Sequence, residues 1–453
     1  MRVTVIAVLV ALVAVACAPS EPPPSPRADS TVISPTPTVA PASAGPVPTP
    51  PAERALASSG TVAVVRADGS LWLTGTGGGS TILADAQDGV FGFPTWSPDG
   101  TRIGAVRTGA TGAAIVVFDA ARATGLPIDP QVIFLSASVL PFYLSWTPDG
   151  ADVSFLATEG NSLSLRIAPA DGSAPLDGSG PGAVIRTGSP LYYDWIDADH
   201  LLAHIGAGAE AFLGEIGRDG APVAPAVERP GTFRSAVVSS DGRFIAFVRA
   251  GAGGEDAVVV AARDGSGEQS MPVYGVAALD FGPDDATLAS IGAIQPPAAP
   301  LPIPVGPLRL IDAGSGVTRT LIEGAVVSFA WAPDGTTIAA IRVVPAADGS
   351  TVSSASPATS PAPVDRTEVR LTFVDVASGR IRSDPVVVPG RRYIDALMTY
   401  FDQYSLSHRL WAPDSSSILL PQIDAAGTTR IDVFFPDGEP PISIDGEIGF
   451  WSP

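Results

Sequence analysis

Short apolar runs, separated by clusters of Pro, Asp, Gly and Ser, repeat along most of this chain. One run ends in Trp96-Ser97-Pro98-Asp99-Gly100. The same signature returns as Trp146-Thr147-Pro148-Asp149-Gly150 and as Trp331-Ala332-Pro333-Asp334-Gly335. Looser copies read Phe281-Gly282-Pro283-Asp284-Asp285 and Trp411-Ala412-Pro413-Asp414-Ser415. Degenerate copies begin at Trp195 and Val238, and a truncated one, Trp451-Ser452-Pro453, ends the sequence. Successive copies, at 96, 146, 195, 238, 281, 331, 411 and 451, lie 40 to 50 residues apart, except for one gap of 80. A period of that length with turn residues at fixed offsets marks a propeller or a repeat array.

The residue types explain the period. Each signature closes an apolar run and opens a tight turn. Pro presets φ for the second turn position, and Asp and Gly suit those that follow. A second run comes next, at 102–106, 153–157, 243–248, 287–291, 337–341 and 417–420. A third, at 115–119, 308–312 and 371–375, ends on Asp, and a weaker fourth follows, at 318–322 and 385–388. Four short strands per unit, joined by polar turns, predict one propeller blade.

The signature resembles the hallmark turn of the TolB-type, WD-like β-propeller repeat family, and the resemblance spans roughly residues 60–453. It implies an all-β propeller and says little about function, because this fold hosts binders, scaffolds and enzymes alike. Residues 61–66, 71–74 and 81–84 read as strands two, three and four of a unit with no first strand. Residues 448–451 read as a first strand with nothing after it. Joined in one split blade, the two ends would satisfy each other's exposed edges. Seven units plus the split one predict eight four-stranded blades. Seven blades is the alternative, because the Trp195 and Val238 copies are degenerate.

The first residues lie outside this pattern. Met1-Arg2 and the apolar stretch 3–15 form a segment shorter than the roughly 20 residues that span a bilayer. Ala14-Val15-Ala16-Cys17 resembles a bacterial lipobox, which implies a lipoprotein signal peptide over 1–16 and a lipid on Cys17. The alternative is an ordinary secretory signal cut after Ala16. Residues 17–57 are rich in Pro, Ser, Thr and Ala and predict a disordered tether. The propeller domain is assigned to 58–453. The expected location is extracytoplasmic, held at the membrane, and the expected state is monomeric.

Charge narrows the function classes. The formal net charge is −20, and every one of the 26 basic residues is Arg. The bias to Ala, Gly, Pro and Arg suggests a GC-rich genome. An acidic surface argues against nucleic acid, which needs clustered cations. Absence of lysine excludes Schiff-base chemistry on this chain. With Cys17 the lone cysteine, no internal disulfide can form. There is no G-x-S-x-G elbow and no H-E-x-x-H motif. His200 and His204 share one face of a strand, but the spacing suggests no third ligand. We expect no cofactor, no metal and no catalytic residue.

Three insertions break the period, at 295–307, 344–366 and 391–407, and all are expected on the face opposite the signature turns. In the third, Tyr393, Leu397, Tyr400, Phe401 and Tyr404 fall near one helical stripe. A short helix packed on the propeller rim and a lid or aromatic contact surface are both open. Three residues before each signature stand Phe93, Tyr143, Tyr192, Ser235, Ala278, Ser328, His408 and Ile448, near the mouth of a central channel. The ligand-binding candidates are therefore Tyr143, Tyr192, Tyr393, Tyr400, Phe401, Tyr404 and His408, with Arg391, Arg392 and Arg409 for an anionic group. The expected role is a binding or scaffold module for an envelope protein or glycan. The alternative is a propeller hydrolase or lyase acting on extracellular glycans or peptides through channel-mouth carboxylates. Two or more such carboxylates with perturbed pKa would favour the enzyme, and a filled or aromatic mouth would favour binding.

Overall fold

A computed structural model describes residues 54–453, except 88, 174–181, 225, 228, 235, 252–254, 299–300, 347–366 and 425. Cys17, the tether up to 53, most of the second insertion and Ser235 lie outside the described residues. The described chain is nearly all β, with only short helical turns. The Trp96 unit is one antiparallel sheet of four strands, Val90–Trp96, Arg102–Gly109, Gly112–Asp119 and Gln131–Ser136. The Trp146 unit repeats it with Leu140–Trp146, Asp152–Glu159, Ser162–Pro169 and Ala183–Gly188. The Val238, Phe281 and Trp331 units merge into one ten-stranded sheet. The merger arises because Gln269–Phe281 and Thr318–Trp331 each run unbroken from the last strand of one unit into the first strand of the next.

The Trp195 unit has three strands, Leu191–Trp195, His200–Ile205 and Phe212–Gly217. Its fourth run contains Pro222 and breaks into single hydrogen bonds, Val223 N to Glu215 O and Val227 N to Leu213 O. Proline has no N–H to give a ladder, so the edge stays irregular. The Trp411 unit is likewise three strands long. The last strand, Ile448–Trp451, pairs antiparallel with the first, Thr61–Val65, in register Val62 with Trp451 through Val65 with Ile448. Leu71–Gly75 and Ser80–Ala84 complete that sheet.

The signature does two physical jobs. In the Trp96 copy, Asp99 Oδ1 accepts from Ser97 Oγ, Thr101 N and Thr101 Oγ1, and Arg102 N donates to Ser97 Oγ. The Ser97 hydroxyl and the Thr101 amide hold the Asp99 carboxyl down at a pKa of about 2. Gly100 takes φ +70°, the left-handed region. Where the signature lacks glycine, Asp285 and Ser415 adopt that conformation themselves, at φ 58° and 61°. The indoles do the second job. Trp146 Nε1 donates to Thr95 O at 3.2 Å, Trp331 Nε1 to Asp280 O at 3.3 Å and Trp411 Nε1 to Ala330 O at 3.1 Å. Trp96 Nε1 donates to Phe450 O at 3.1 Å, across the two ends of the chain. Each indole thus ties its unit to the residue just before the preceding signature. Trp195, in the degenerate copy, donates to Ser154 Oγ instead.

The packed chain reaches back to Arg54. Leu56 and Ala57 are buried in the apolar cluster of the Trp411 unit. Ser58 N donates to Asp414 Oδ2, and Arg54 pairs with Asp437 at 2.9 Å and lies over the Phe435 ring.

Candidate functional site

The third insertion does not pack on a rim. Residues 393–404 form one short helical stretch, a π turn, a 3₁₀ turn and one α turn, which meets the first strands of the Trp96, Trp146, Trp195, Phe281 and Trp331 units. Tyr404 stacks on Phe93 with ring centroids 5.9 Å apart, and Thr95 Oγ1 donates to Ser407 O at 2.7 Å. Tyr143 OH donates to Gln403 O at 2.9 Å. Gln403 Nε2 donates to Tyr143 Oη at 2.9 Å and to Tyr193 O at 2.8 Å, while Gln403 Oε1 accepts from Tyr193 N at 3.1 Å. Arg234 Nε pairs with Asp402 Oδ2 at 3.1 Å, and its Nη2 donates to Thr399 O. Residues 401–404 contact the strand that carries Asp280, Phe401 meets Phe329 edge-on at 5.2 Å, and His408 meets Phe450 at 4.7 Å. One short segment can touch all of these only where the first strands converge, so it fills their centre as a plug.

This placement decides where the sequence-selected residues sit. Tyr143, Tyr192, Tyr393, Phe401, Tyr404 and His408 are buried beneath or within the plug. Burial raises the phenols of Tyr143, Tyr192 and Tyr404, and raises Tyr393 to about 12. It lowers His408 to about 3, so that imidazole is neutral at any ordinary pH. Tyr400 alone of the stripe is open, at 45% exposure. Arg391 is exposed and paired with Asp395, Arg392 is paired with Glu447, and Arg409 is exposed. His200 and His204 take separate partners, Asp197 Oδ1 at 2.9 Å and the Arg234 carbonyl at 3.0 Å. Among the described residues no group of three or more His, Cys, Asp or Glu is arranged to hold a metal, and no helix is long and apolar enough to cross a membrane.

Two carboxyls at the plug were not singled out from the sequence. Asp194 and Asp280 stand one residue before their signatures, where the other units carry Thr95, Ser145, Val237, Ala330, Leu410 and Phe450. Comparing that single column of residues would have exposed them. Burial pushes Asp194 up to about 7, against the amide of Val238, which donates to its Oδ2 at 2.9 Å. Burial, then the neighbouring Asp194 and Asp402 carboxylates, push Asp280 up to about 8. The one guanidinium in the cluster, Arg234, is 5% exposed and is already engaged by Asp402, Tyr192 and Thr399. A cleft of about 240 Å³ lies on the signature-turn face, lined by Pro283, Asp284, Trp331, Pro333, Asp334, Gly335 and Val376.

The raised pKa values fix the sign of a pH effect. A carboxyl that is more basic folded than unfolded holds its proton better in the folded chain. Its stabilising proton is fully bound below about pH 4 and is lost as pH rises through 7 to 8. Ionised Asp280 at pH 9 is therefore a liability, and Asp280→Asn removes it. We expect Asp280→Asn to melt higher than the parent at pH 9, by on the order of 1–2 kcal/mol of stability after allowance for solvent reaching the site. The two should melt alike at pH 4.5. A variant less stable than the parent at both pH values would contradict the assignment.

No family model matches the sequence, and no curated protein matches it. Solved structures do resemble the chain. The dihydro-heme d1 dehydrogenase NirN in complex with DHE is similar over 89% of this chain and 76% of its own, at 14% identity and a TM-score of 0.51. TolB from Acinetobacter baumannii is similar over 85% and 80%, at 11% identity and a TM-score of 0.35. An oligogalacturonate lyase in complex with manganese is similar over 60% and 79%, at 12% identity and a TM-score of 0.42. The repeated antiparallel units and the likeness to NirN support a β-propeller fold. At 14% identity that likeness concerns the fold alone.

Proposed function

We propose that this chain is an extracytoplasmic, membrane-tethered β-propeller of eight blades, closed by its split terminal blade, that binds an envelope protein or glycan. The observation that carries this reading is the plug. A propeller enzyme working at its axis needs an open central pocket, and here residues 393–408 fill the convergence of the first strands with aromatic rings and satisfied hydrogen bonds. Binding then falls to the outer surfaces. The pairing of Ile448–Trp451 with Thr61–Val65 and the Trp96 bond to Phe450 support the closure. The pinning of Ser58 on Asp414, a signature-turn residue, supports a tether that leaves from that face. The insertion-bearing face, with exposed Tyr400 and Arg391, then points away from the tether.

The raised pKa values of Asp194 and Asp280 favour a second reading, a hydrolase or lyase using these two carboxyls as acid and base once the plug moves. One set of variants tests both. Cys17→Ser should move the protein from the membrane fraction to the soluble one, and unchanged membrane association would overturn the lipid tether. The soluble form should bind isolated envelope material equally well with Asp194→Asn and Asp280→Asn. Turnover of an envelope glycan or peptide that disappears in that double variant would establish the enzyme instead.

A further inference from the structure

We propose that the flank between the Val238 and Phe281 units holds a small carboxylate or similar planar oxyanion on Arg309. Strand pairing sets Leu279, Ser290, Arg309 and Thr320 side by side across the Phe281 unit, from its innermost strand to its outer edge. Side chains that oppose one another in this way share a face. That face looks toward the Val238 unit, because Leu279 packs in one cluster with Val258, Val260 and Val273. The innermost member is apolar and fully buried, and the outermost, Thr320, is exposed. Between them lie two polar groups that the fold leaves unanswered.

Arg309 is 8% exposed, and neither its Nε nor its Nη2 has a hydrogen-bond partner. Ser290, its cross-strand neighbour, is fully buried, and its hydroxyl also lacks a partner. Among the described residues no carboxylate balances the guanidinium, and burial lowers its pKa. The contrast with the other deeply buried arginine is direct, since Arg234 has Asp402 at 3.1 Å. Nor are acids scarce, with 46 Asp and Glu in the sequence. Arginine cannot shed its proton to escape burial. A buried cation without a counter-ion costs several kcal/mol, so a fold that keeps one has a partner for it from outside the chain.

The unanswered atoms also specify the ligand. Nε–H and Nη2–H lie on one edge of the guanidinium plane, and two parallel N–H donors match the two oxygens of a carboxylate. Ser290 Oγ stands next in the row as a third donor. The ligand enters from the outer edge, past the exposed Thr320 hydroxyl. Half-buried Met271 guards that edge, where Thr318 Oγ1 contacts its sulfur at 3.2 Å. Its flexible thioether is the part that can turn aside. A bulky or multiply charged anion fits poorly between packed sheets, which favours a carboxylate of one or two carbons.

The test is thermal unfolding of the intact protein with sodium formate exchanged for sodium chloride at constant ionic strength. A ligand that binds only the folded chain raises Tm in a saturable way. The parent should show such a rise, and Arg309→Met should show none. Should Arg309→Met fail to fold, Thr320→Val at the exposed edge should shift the midpoint of the formate titration to higher concentration by about threefold or more. A parent that responds to formate no more than to chloride, or an Arg309→Met variant that responds as the parent does, overturns the proposal and leaves water as the partner of the guanidinium.

Discussion

Removing residues 449–453 should unfold the protein at temperatures where the parent is fully native. Phe450 and Trp451 are 1% and 0% exposed, and deleting a buried aromatic costs about 3–5 kcal/mol for each. The same deletion frees the edge of Thr61–Val65 and removes the carbonyl that receives the Trp96 indole. Gly60 packs against Trp451, so the first residues of the fold lose their seat as well. Together these exceed the ordinary stability of a domain, roughly 5–15 kcal/mol, or come close to it. Loss of the cooperative transition in calorimetry is the expected outcome. A truncated chain that melts within a degree or two of the parent would show that the last strand is not structural.

Replacing Phe401 and Tyr404 with Ala should cost about 6 kcal/mol or more, while Tyr400→Ala should cost less than about 1 kcal/mol. The three residues lie on one short segment, yet they meet different surroundings. Phe401 meets Phe329 and joins the apolar cluster of the Phe281 and Trp331 units. Tyr404 touches Phe93, Tyr143 and His408 at centroid distances of 5.9, 5.2 and 5.1 Å. Tyr400 meets Tyr192 edge-on at 6.3 Å and keeps 45% of its surface open. Chemical denaturation of the single and double variants separates them. Comparable losses from all three would mean that the segment is not seated as described. If the exposed face of the plug binds a partner, Tyr400→Ala is also the variant that loses binding while keeping its fold.

The repeat made the architecture legible because it is local chemistry. Pro98, Asp99 and Gly100 satisfy a turn within five residues, and Trp96 announces the strand before it. The pairing of the terminal strands was legible for the same reason: Ile448–Trp451 reads as a first strand without a successor, and Thr61–Val65 as a second without a predecessor. The plug was only half legible. Its aromatic stripe showed in the spacing of Tyr393, Leu397, Phe401 and Tyr404, but the stripe contacts residues more than 200 positions away, such as Phe93 and Tyr143. Nothing in a helical period says whether such a face meets a rim or a centre. Asp194 and Asp280 were hidden by a different cause. Aspartate abounds in the turns of this chain, and only its place one residue before the signature separates these two from the capping ones. Arg309 carries no local signal at all, because its peculiarity is the lack of a partner across two packed sheets.

The central claim is that residues 393–408 are an interior element. Hydrogen–deuterium exchange of the native protein tests it most directly. The amides of Ser405 and His408 donate to Phe401 O at 2.7 Å and Tyr404 O at 2.8 Å in the middle of the molecule. They should exchange as slowly as the amides of buried strands such as Ile115–Val117, opening only with the whole domain. Exchange at the rate of an exposed surface loop, with the strands still protected, would place the segment outside the ring and contradict the account.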